Sequence, residues 1–409
     1  MMKGDIEKNI HMIGYRIAQK IILDQARSFG KETVPLEEAY GRVLAEPIRA
    51  DRDYPPFNRA TMDGYAVRYS DLERGIRRFS IAQTIFAGDR PLHSIGSGEC
   101  YKIMTGAAVP ADADVVIRRE DVTESEEKMS VNALVPEPWR PFLNIARQGE
   151  DLQSGEIVID KPCRCEPAIM GLLATLGQSV VTVARLPRIA LLTTGNEVVA
   201  AGAPVSSVQI RNSNRWLLEA ALKKCGAGIT TYRHAPDDPD LLREVLAAVL
   251  PSDILIITGG VSAGDADHVP DTLQGLGAKK LFHKIAIRPG KPVWCGLAPS
   301  GGIIFALPGN PFSCLVNFVL LIAPYLHTCW GLELTEPLGL PMGVARPRRT
   351  ALDEFFPVRL EGVPARLIPV SLNGSGDIRL GRQANALALH PAGSGDLEEG
   401  AEVICYSFV

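Results

Sequence analysis

The sequence predicts a multi-domain chain that mixes α/β and β architecture, and three observations carry the prediction. At 409 residues the chain exceeds what one ordinary hydrophobic core holds and calls for roughly two to four domains. Over residues 187–331, apolar strand-like runs alternate with amphipathic helix-like runs, as in a doubly wound, mostly parallel sheet covered on both faces. Two further stretches, 54–142 and 332–409, consist of short apolar runs cut by Gly, Asp and Pro, which is the pattern of small β-domains.

Taken in order, residues 14–48 read as helical. Ile22, Ala26 and Phe29 recur at helical spacing, and P-L-E-E-A-Y-G-R-V-L (35–44) starts a second short helix or turn. Apolar runs at 65–67, 81–86, 115–117 and 129–131 then mark a β-rich unit over 54–142, inserted into a helical domain made of 1–53 and 143–186. Within 187–331, R-I-A-L-L-T-T-G is a strand, and Asn212 or Ser213 caps the helix W-L-L-E-A-A-L-K-K-C. After the strand I-T-T-Y, Asp238-Pro239 supplies an N-cap and an N1 proline to the next helix, and D-I-L-I-I-T is the strand that follows it. The most apolar run, 314–325, is about half a membrane span and contains Asn317 and Pro324, so it reads as a buried helix. After Gly331 the helices stop, and A-R-L-I-P-V, A-L-A-L-H and A-E-V-I-C-Y predict a C-terminal β-domain over 332–409.

Composition narrows the function. A net charge of −4 gives no basic field for nucleic acid. The N-terminal residues lack the apolar core of a signal peptide, which points to a cytoplasmic protein with no membrane partner. Of the eight cysteines only Cys163 and Cys165 lie close together, which is poor zinc spacing, so reduced thiols are expected. The seven histidines are dispersed, and no Walker A, G-x-S-x-G, H-E-x-x-H or complete G-x-G-x-x-G motif occurs. Chemistry therefore falls to carboxylates, cations, backbone amides and a divalent metal.

Those groups concentrate at 253–313. D-I-L-I-I-T runs into G-G-V-S-A-G-D-A-D, K-I-A-I-R-P-G-K-P follows, and I-I-F-A-L breaks into P-G-N-P-F-S. Glycines at a strand end that opens a helix present N–H groups to an anion, and three cations and two aspartates adjoin them. That set suits a phosphate or another oxyanion held beside a divalent cation. In a parallel sheet ligands bind beyond the carboxyl ends of the strands, where T-T-G-N-E (193–197) and T-G-G-V-S both fall. P-P-F-N-R-A-T-M-D-G-Y-A, I-M-T-G-A-A-V-P and G-E-D-L add Asp63, Thr105, Glu150 and Asp151.

These residues resemble a family, the MoeA-type molybdopterin molybdenumtransferases, to which the E domain of gephyrin is related. The matching pieces include M-D-G-Y-A, I-M-T-G-A, N-I-x-x-x-G-E-D, T-T-G-N-E-V, Q-I-x-N-S-N, T-G-G-V-S-x-G-D-x-D, I-x-P-G-K-P, L-P-G-N-P and G-S-G-D-I, in family order over nearly the whole chain. The resemblance implies an elongated four-domain chain with a MogA-like α/β domain. It implies a homodimer whose active site joins the α/β domain of one subunit to the β-rich insert of the other. It implies hydrolysis of adenylylated molybdopterin and insertion of molybdate into the dithiolene, with release of AMP and with Mg²⁺ as cofactor. A MogA-type adenylyltransferase would be a partner.

Carried over by motif, Asp63, Thr105, Asp151, Glu197, Asp238 and Asp267 are the catalytic set, with Glu197 and Asp267 on the metal. Gly259, Gly260, Ser262, Gly264, Lys284, Arg288, Lys291, Pro308, Pro311, Ser313 and Ser375 bind the substrates. The chain departs from the family at Asn58-Arg59, at Asn196 for Asp, at Arg288 for Lys, and at Pro357 where some members carry arginine. Arg359, two residues along the strand on the same face, is the expected substitute for that arginine. Two other readings share parts of the pattern: a MogA-type adenylyltransferase, which lacks the flanking β-domains, and a non-catalytic scaffold, which has no need of Asp63, Glu197 and Asp267.

Overall fold

The computed structural model describes residues 12–132, 139–261, 268–377 and 379–408. The chain forms two compact units, one of residues 46–181 and one in which the residues up to 45 join 182–409.

The smaller unit is built on a six-stranded sheet in the order Val115–Arg118, Gly64–Val67, Glu99–Ile103, Arg78–Ile85, Lys128–Val131, Val122–Ser125. Only Arg78–Ile85 and Glu99–Ile103 run parallel. Alternate residues serve opposite faces. Tyr65, Val67, Cys100, Val115 and Ile117 pack on one side with Leu72, Phe79 and Met129, while Ala66, Tyr101, Ile103 and Val116 pack on the other with Ala60 and Ile85. Burial on both faces is why these strands read as continuous apolar runs. A helix, Pro167–Thr175, follows the small strands.

In the larger unit the central sheet runs Ile229–Ala235, Ile189–Thr194, Ile254–Thr258, Ile303–Leu307, Trp294–Leu297, Lys279–His283. Its first four strands are parallel, and Trp294–Leu297 is antiparallel to both of its neighbours. Ile189, Leu191, Ile254, Ile256, Ile303 and Phe305 face one layer, which holds Leu218 and Leu222 of helix Asn214–Lys224 and the helix of residues 311–329. Ala190, Leu192, Leu255, Ile257 and Ile304 face the other layer, with Leu242, Leu246 and Val249 of Pro239–Val249 and Val269 and Leu273 of Val269–Gly275. Each Leu or Ile so buried contributes about 1.5–3 kcal/mol.

The helix Pro311–Cys329 is long and apolar enough to cross a membrane, yet Phe318, Leu320, Leu321 and Ile322 are fully buried within the chain. It is continuous, with one wide turn at Phe318–Ile322 just before Pro324, whose missing N–H cannot serve a regular turn.

Two local expectations change. The first helix spans Tyr15–Leu23 and buries Tyr15, Ala18 and Ile22, but it does not reach 48. Gly30, at φ +97°, turns the chain into the strand Lys31–Pro35, where β-branched Thr33 and Val34 favour extension, and a single short turn, Leu36–Glu38, remains of the second helix. Ala26 and Phe29 still pack on the core, from non-helical chain. At the other end, the C-terminal sheet is ordered Ile287–Arg288, Asp353–Glu361, Ala386–His390, Glu402–Ser407, Leu338–Pro341, with Arg366–Pro369 beside Asp353–Glu361. Its first strand comes from the α/β stretch, pairing Ile287 with Asp353 and Arg288 with Glu354. A short helix, Leu380–Gln383, also interrupts this part.

Candidate active site

Strand order places the site. The chain leaves Ile189–Thr194 for Ile229–Ala235 on one side and then crosses to Ile254–Thr258 on the other, so the order reverses between Ile189–Thr194 and Ile254–Thr258. A crevice opens beyond the carboxyl ends of strands at such a reversal. It holds Thr194, Gly195, Glu197, Asp237, Gly259 and Gly260 in a cavity of about 740 Å³. A second cavity, of about 870 Å³, continues to Arg288, Lys291, Ser313, Arg349 and Ser375. Glu197, Gly259, Gly260, Gly309 and Asn310 line both.

The glycines at this junction are obligatory. Gly259 sits at φ +93°, and a Cβ there would lie 2.6 Å from Thr194 Oγ1; at Gly260, φ +68°, it would lie 2.8 Å from Val269 Cγ2. Beside them the Asn196 N–H donates to Asp237 Oδ2 at 3.2 Å, and the Asp237 N–H donates to Asn196 Oδ1 at 3.1 Å. Asp238, expected in the catalytic set, instead caps its helix: Oδ1 accepts from the N–H groups of Asp240 at 3.0 Å and Leu241 at 2.9 Å. Asp237 is the carboxylate that lines the cavity. The signal was present in the sequence, because the cap rule assigns the second Asp of D-D-P to the helix and leaves the first one free. The helix at 214 is capped by Asn212, whose Oδ1 accepts from Arg215 N–H at 3.1 Å, rather than by Ser213.

The P-G-N-P loop joins the C-terminal domain to the crevice. Asn310 Nδ2 donates to Ser375 Oγ at 2.8 Å, and the Phe312 N–H donates to the Ser375 carbonyl at 3.1 Å. Pro308 and Ser313 line the larger cavity and Pro311 the smaller. Asn214 Nδ2 holds the Gly309 carbonyl at 2.6 Å. The basic segment is folded as a turn over the same helix: Asn317 Nδ2 donates to Gly290 O at 3.1 Å and to Ser313 O at 3.0 Å, and Gly290 has φ +99°. Arg288 and Lys291 thus reach the cavity, and neither forms an ion pair among the described residues. Lys284, at φ +69°, spends its N–H on Val293 O and does not line the cavity. Arg359 does not enter either; it is half exposed and pairs with Glu361. Ser262, Gly264 and Asp267 lie outside the described residues.

The strand that pairs with Arg288 rests on buried charge. Arg346 Nη2 lies 3.0 Å from Glu354 Oε1, and Nη1 lies 2.9 Å from His390 Nδ1. A guanidinium only donates, so His390 Nδ1 accepts and Nε2 carries the hydrogen given to Gly395 O at 2.8 Å.

In the smaller unit, Asp63 and Thr105 come together. Asp63 Oδ1 accepts from Thr105 N–H at 2.7 Å and Oγ1–H at 2.6 Å. The hydroxyl, then the amide, holds the Asp63 carboxyl below its ordinary range although it is exposed. Gly64 of M-D-G-Y lets the strand approach its neighbour, since a Cβ would fall 2.0 Å from Ile117 O. Asp151 is exposed in a turn anchored by its N–H to Tyr54 O at 3.0 Å, and Glu150 closes that turn by accepting from Arg147 N–H at 2.7 Å.

Comparison with known proteins gives the family. Residues 13–177 match the MoeA N-terminal region (domain I and II), and residues 190–328 match a probable molybdopterin binding domain. A molybdopterin molybdenumtransferase of Synechococcus elongatus is 34% identical, with 85% of this chain and 88% of that protein covered. One from Staphylococcus epidermidis is 31% identical, covering 95% and 94%. The crystal structure of a molybdopterin biosynthesis MoeA protein from Pyrococcus horikoshii superposes with a TM-score of 0.80 at 32% identity, covering 97% of this chain and 99% of that one. This chain belongs to the molybdopterin molybdenumtransferase family. It is accordingly a transferase of molybdenum cofactor biosynthesis, and its α/β sheet lies in the stretch that matches the probable molybdopterin binding domain.

Proposed function

We propose that this chain hydrolyses adenylylated molybdopterin and inserts molybdate into its dithiolene, releasing AMP in a Mg²⁺-dependent reaction. The observation that carries the reading is the junction of two cavities with different chemistry at Glu197, Gly259, Gly260, Gly309 and Asn310. One end offers carboxylates and glycine amides, the other guanidinium and ammonium groups. The first suits an adenylate whose phosphates are bound beside a cation, and the second suits a dianionic oxyanion.

Glu197 and Asp237 are hard oxygen donors in one cavity, which fits Mg²⁺; Asp267 is the further ligand that the resemblance implies. Among the described residues no group of three or more metal-ligating side chains gathers, so substrate phosphate and water would complete the shell. When bound, the ion supplies charge neutralisation at the phosphates. The residues do the rest: Gly259 and Gly260 bring backbone close to the anion, and the N-terminal turn of helix 311–329 adds its dipole near Ser313. Arg288 and Lys291 balance the oxyanion.

We further propose a homodimer of four-domain chains that works in the cytoplasm and receives its substrate from a MogA-type adenylyltransferase. None of the eight cysteines is joined in a disulfide, which suits a reducing compartment. The test is purified protein with adenylylated molybdopterin, Mg²⁺ and varied molybdate. Arg288→Ala and Lys291→Ala should each raise the molybdate needed for half-maximal insertion about ten- to a hundredfold, since a charge-assisted bond of about 1.5–3 kcal/mol is lost. Dependence on the adenylylated substrate should change less. An unchanged molybdate requirement in both variants would overturn the assignment of this cavity.

A further inference from the structure

The segment A-R-P-R-R-T (345–350) spends its three arginines differently. Arg346 is buried against Glu354, His390 and the Phe356 ring. Arg348 is fixed on three sides: its N–H donates to Asp396 Oδ1 at 2.8 Å, Nε donates to Thr350 O at 2.8 Å, and Nη1 donates to Ser394 O. Arg349 has neither kind of contact. Its guanidinium makes no ion pair or hydrogen bond among the described residues, and its side chain lines the larger cavity with Arg288 and Lys291. Its backbone is held there, because Arg288 Nη1 donates to Arg349 O at 3.2 Å. Arg288 in turn is pinned by strand pairing to Glu354, the partner of Arg346. Two arginines therefore immobilise the loop, and the third is presented free at the point where the basic turn arrives.

We propose that Arg349 is a third oxyanion-contacting residue of the larger cavity, supplied by the C-terminal β-domain. This rests on the reading of that cavity as the oxyanion site. Guanidinium groups without a carboxylate partner that converge with an ammonium repel one another, and a tetrahedral dianion removes that cost by accepting hydrogen bonds from all three. The C-terminal domain thereby takes part in selecting the inorganic substrate. Arg349 also stands where Arg359, half exposed and paired with Glu361, cannot reach the cavity.

Equilibrium binding of molybdate alone to the full chain tests this, with no pterin present. Arg349→Ala should weaken binding about ten- to a hundredfold, comparable to Arg288→Ala. Arg349→Lys should recover part of the loss, because it keeps the charge and loses the planar fork. Arg359→Ala should bind as the parent does. Arg349 is exposed, so its variants should melt with the parent, and that measurement separates folding from binding. If Arg349→Ala binds normally while Arg288→Ala and Lys291→Ala are weakened, the inference fails and the cavity assignment stands. If none of the three is weakened, the cavity assignment fails with it.

Discussion

Glu354→Ala is the substitution whose cost the structure specifies most closely. Glu354 and Arg346 are 7% and 6% exposed, and their charged atoms lie 3.0 Å apart. At an effective dielectric of about 20, that separation gives about 5 kcal/mol of attraction. Desolvation of two charges offsets most of it, and Glu354 Oε2 is buried with no partner among the described residues, so the intact pair adds little net stability. Removing one member is another matter, because it strands a buried charge at a cost of about 3–5 kcal/mol. Arg346 would keep its 2.9 Å bond to His390 and its place 4.0 Å from the centroid of the Phe356 ring, which puts the loss near the lower end, about 3 kcal/mol. Converting both residues, Arg346→Met with Glu354→Leu, removes the stranded charge and leaves His390 Nδ1 as the only orphan, at about 1–2 kcal/mol. Urea unfolding of the parent, the single and the double variant measures all three values. A single variant costing under about 1 kcal/mol, or a double variant costing more than the single, would refute the argument.

Three further outcomes follow, two from this geometry and one from the proposed homodimer. Thr105→Val should move the Asp63 carboxyl back up toward its ordinary range, in part only, because the Thr105 N–H remains; a carboxyl NMR titration reads this. The sign is that of a depressed acid: the stability from these bonds is full above the unfolded value near about 3.9 and is lost as pH falls through the folded one, so the variant should lose less stability on acidification than the parent. Gly259→Ala should cost about 1–3 kcal/mol in strain, because its φ of +93° and the 2.6 Å approach to Thr194 Oγ1 both oppose a Cβ, and transfer activity should fall with it; a variant that melts and turns over like the parent would contradict the cavity geometry. Asp63→Ala and Glu197→Ala proteins, each inactive alone, should regain activity when mixed under subunit exchange, and no recovery would argue against a site shared by two copies.

Much of the fold was legible because it rests on local pattern. The two-faced burial of strands such as Ile254–Thr258 shows as unbroken apolar runs, and Asp238-Pro239 announces its helix. The crevice at Glu197 and Gly259 follows from strand ends and needs no side-chain detail. What escaped was non-local. Ile287–Arg288 is too short to read as a strand and owes its place to pairing with residues over sixty positions later. The helical spacing of Ile22, Ala26 and Phe29 was overruled by Gly30 and by packing that extended chain satisfies equally well. Face alternation put Arg359 on the side of Pro357, but the alternation says nothing of how far along the strand the cavity extends. In sequence R-P-R-R looks like any solvated basic loop, and only its contacts separate Arg349 from Arg346 and Arg348.

The central claim is that one chain couples adenylate hydrolysis to molybdate insertion. Incubating purified protein with adenylylated molybdopterin, Mg²⁺ and molybdate, and following AMP and dithiolene-bound molybdenum together, tests it most directly. The account predicts that both appear in equal amounts and that both are lost in Glu197→Gln. Formation of an adenylylated product from free molybdopterin and ATP, or absence of both AMP and bound molybdenum with folded protein, would contradict it.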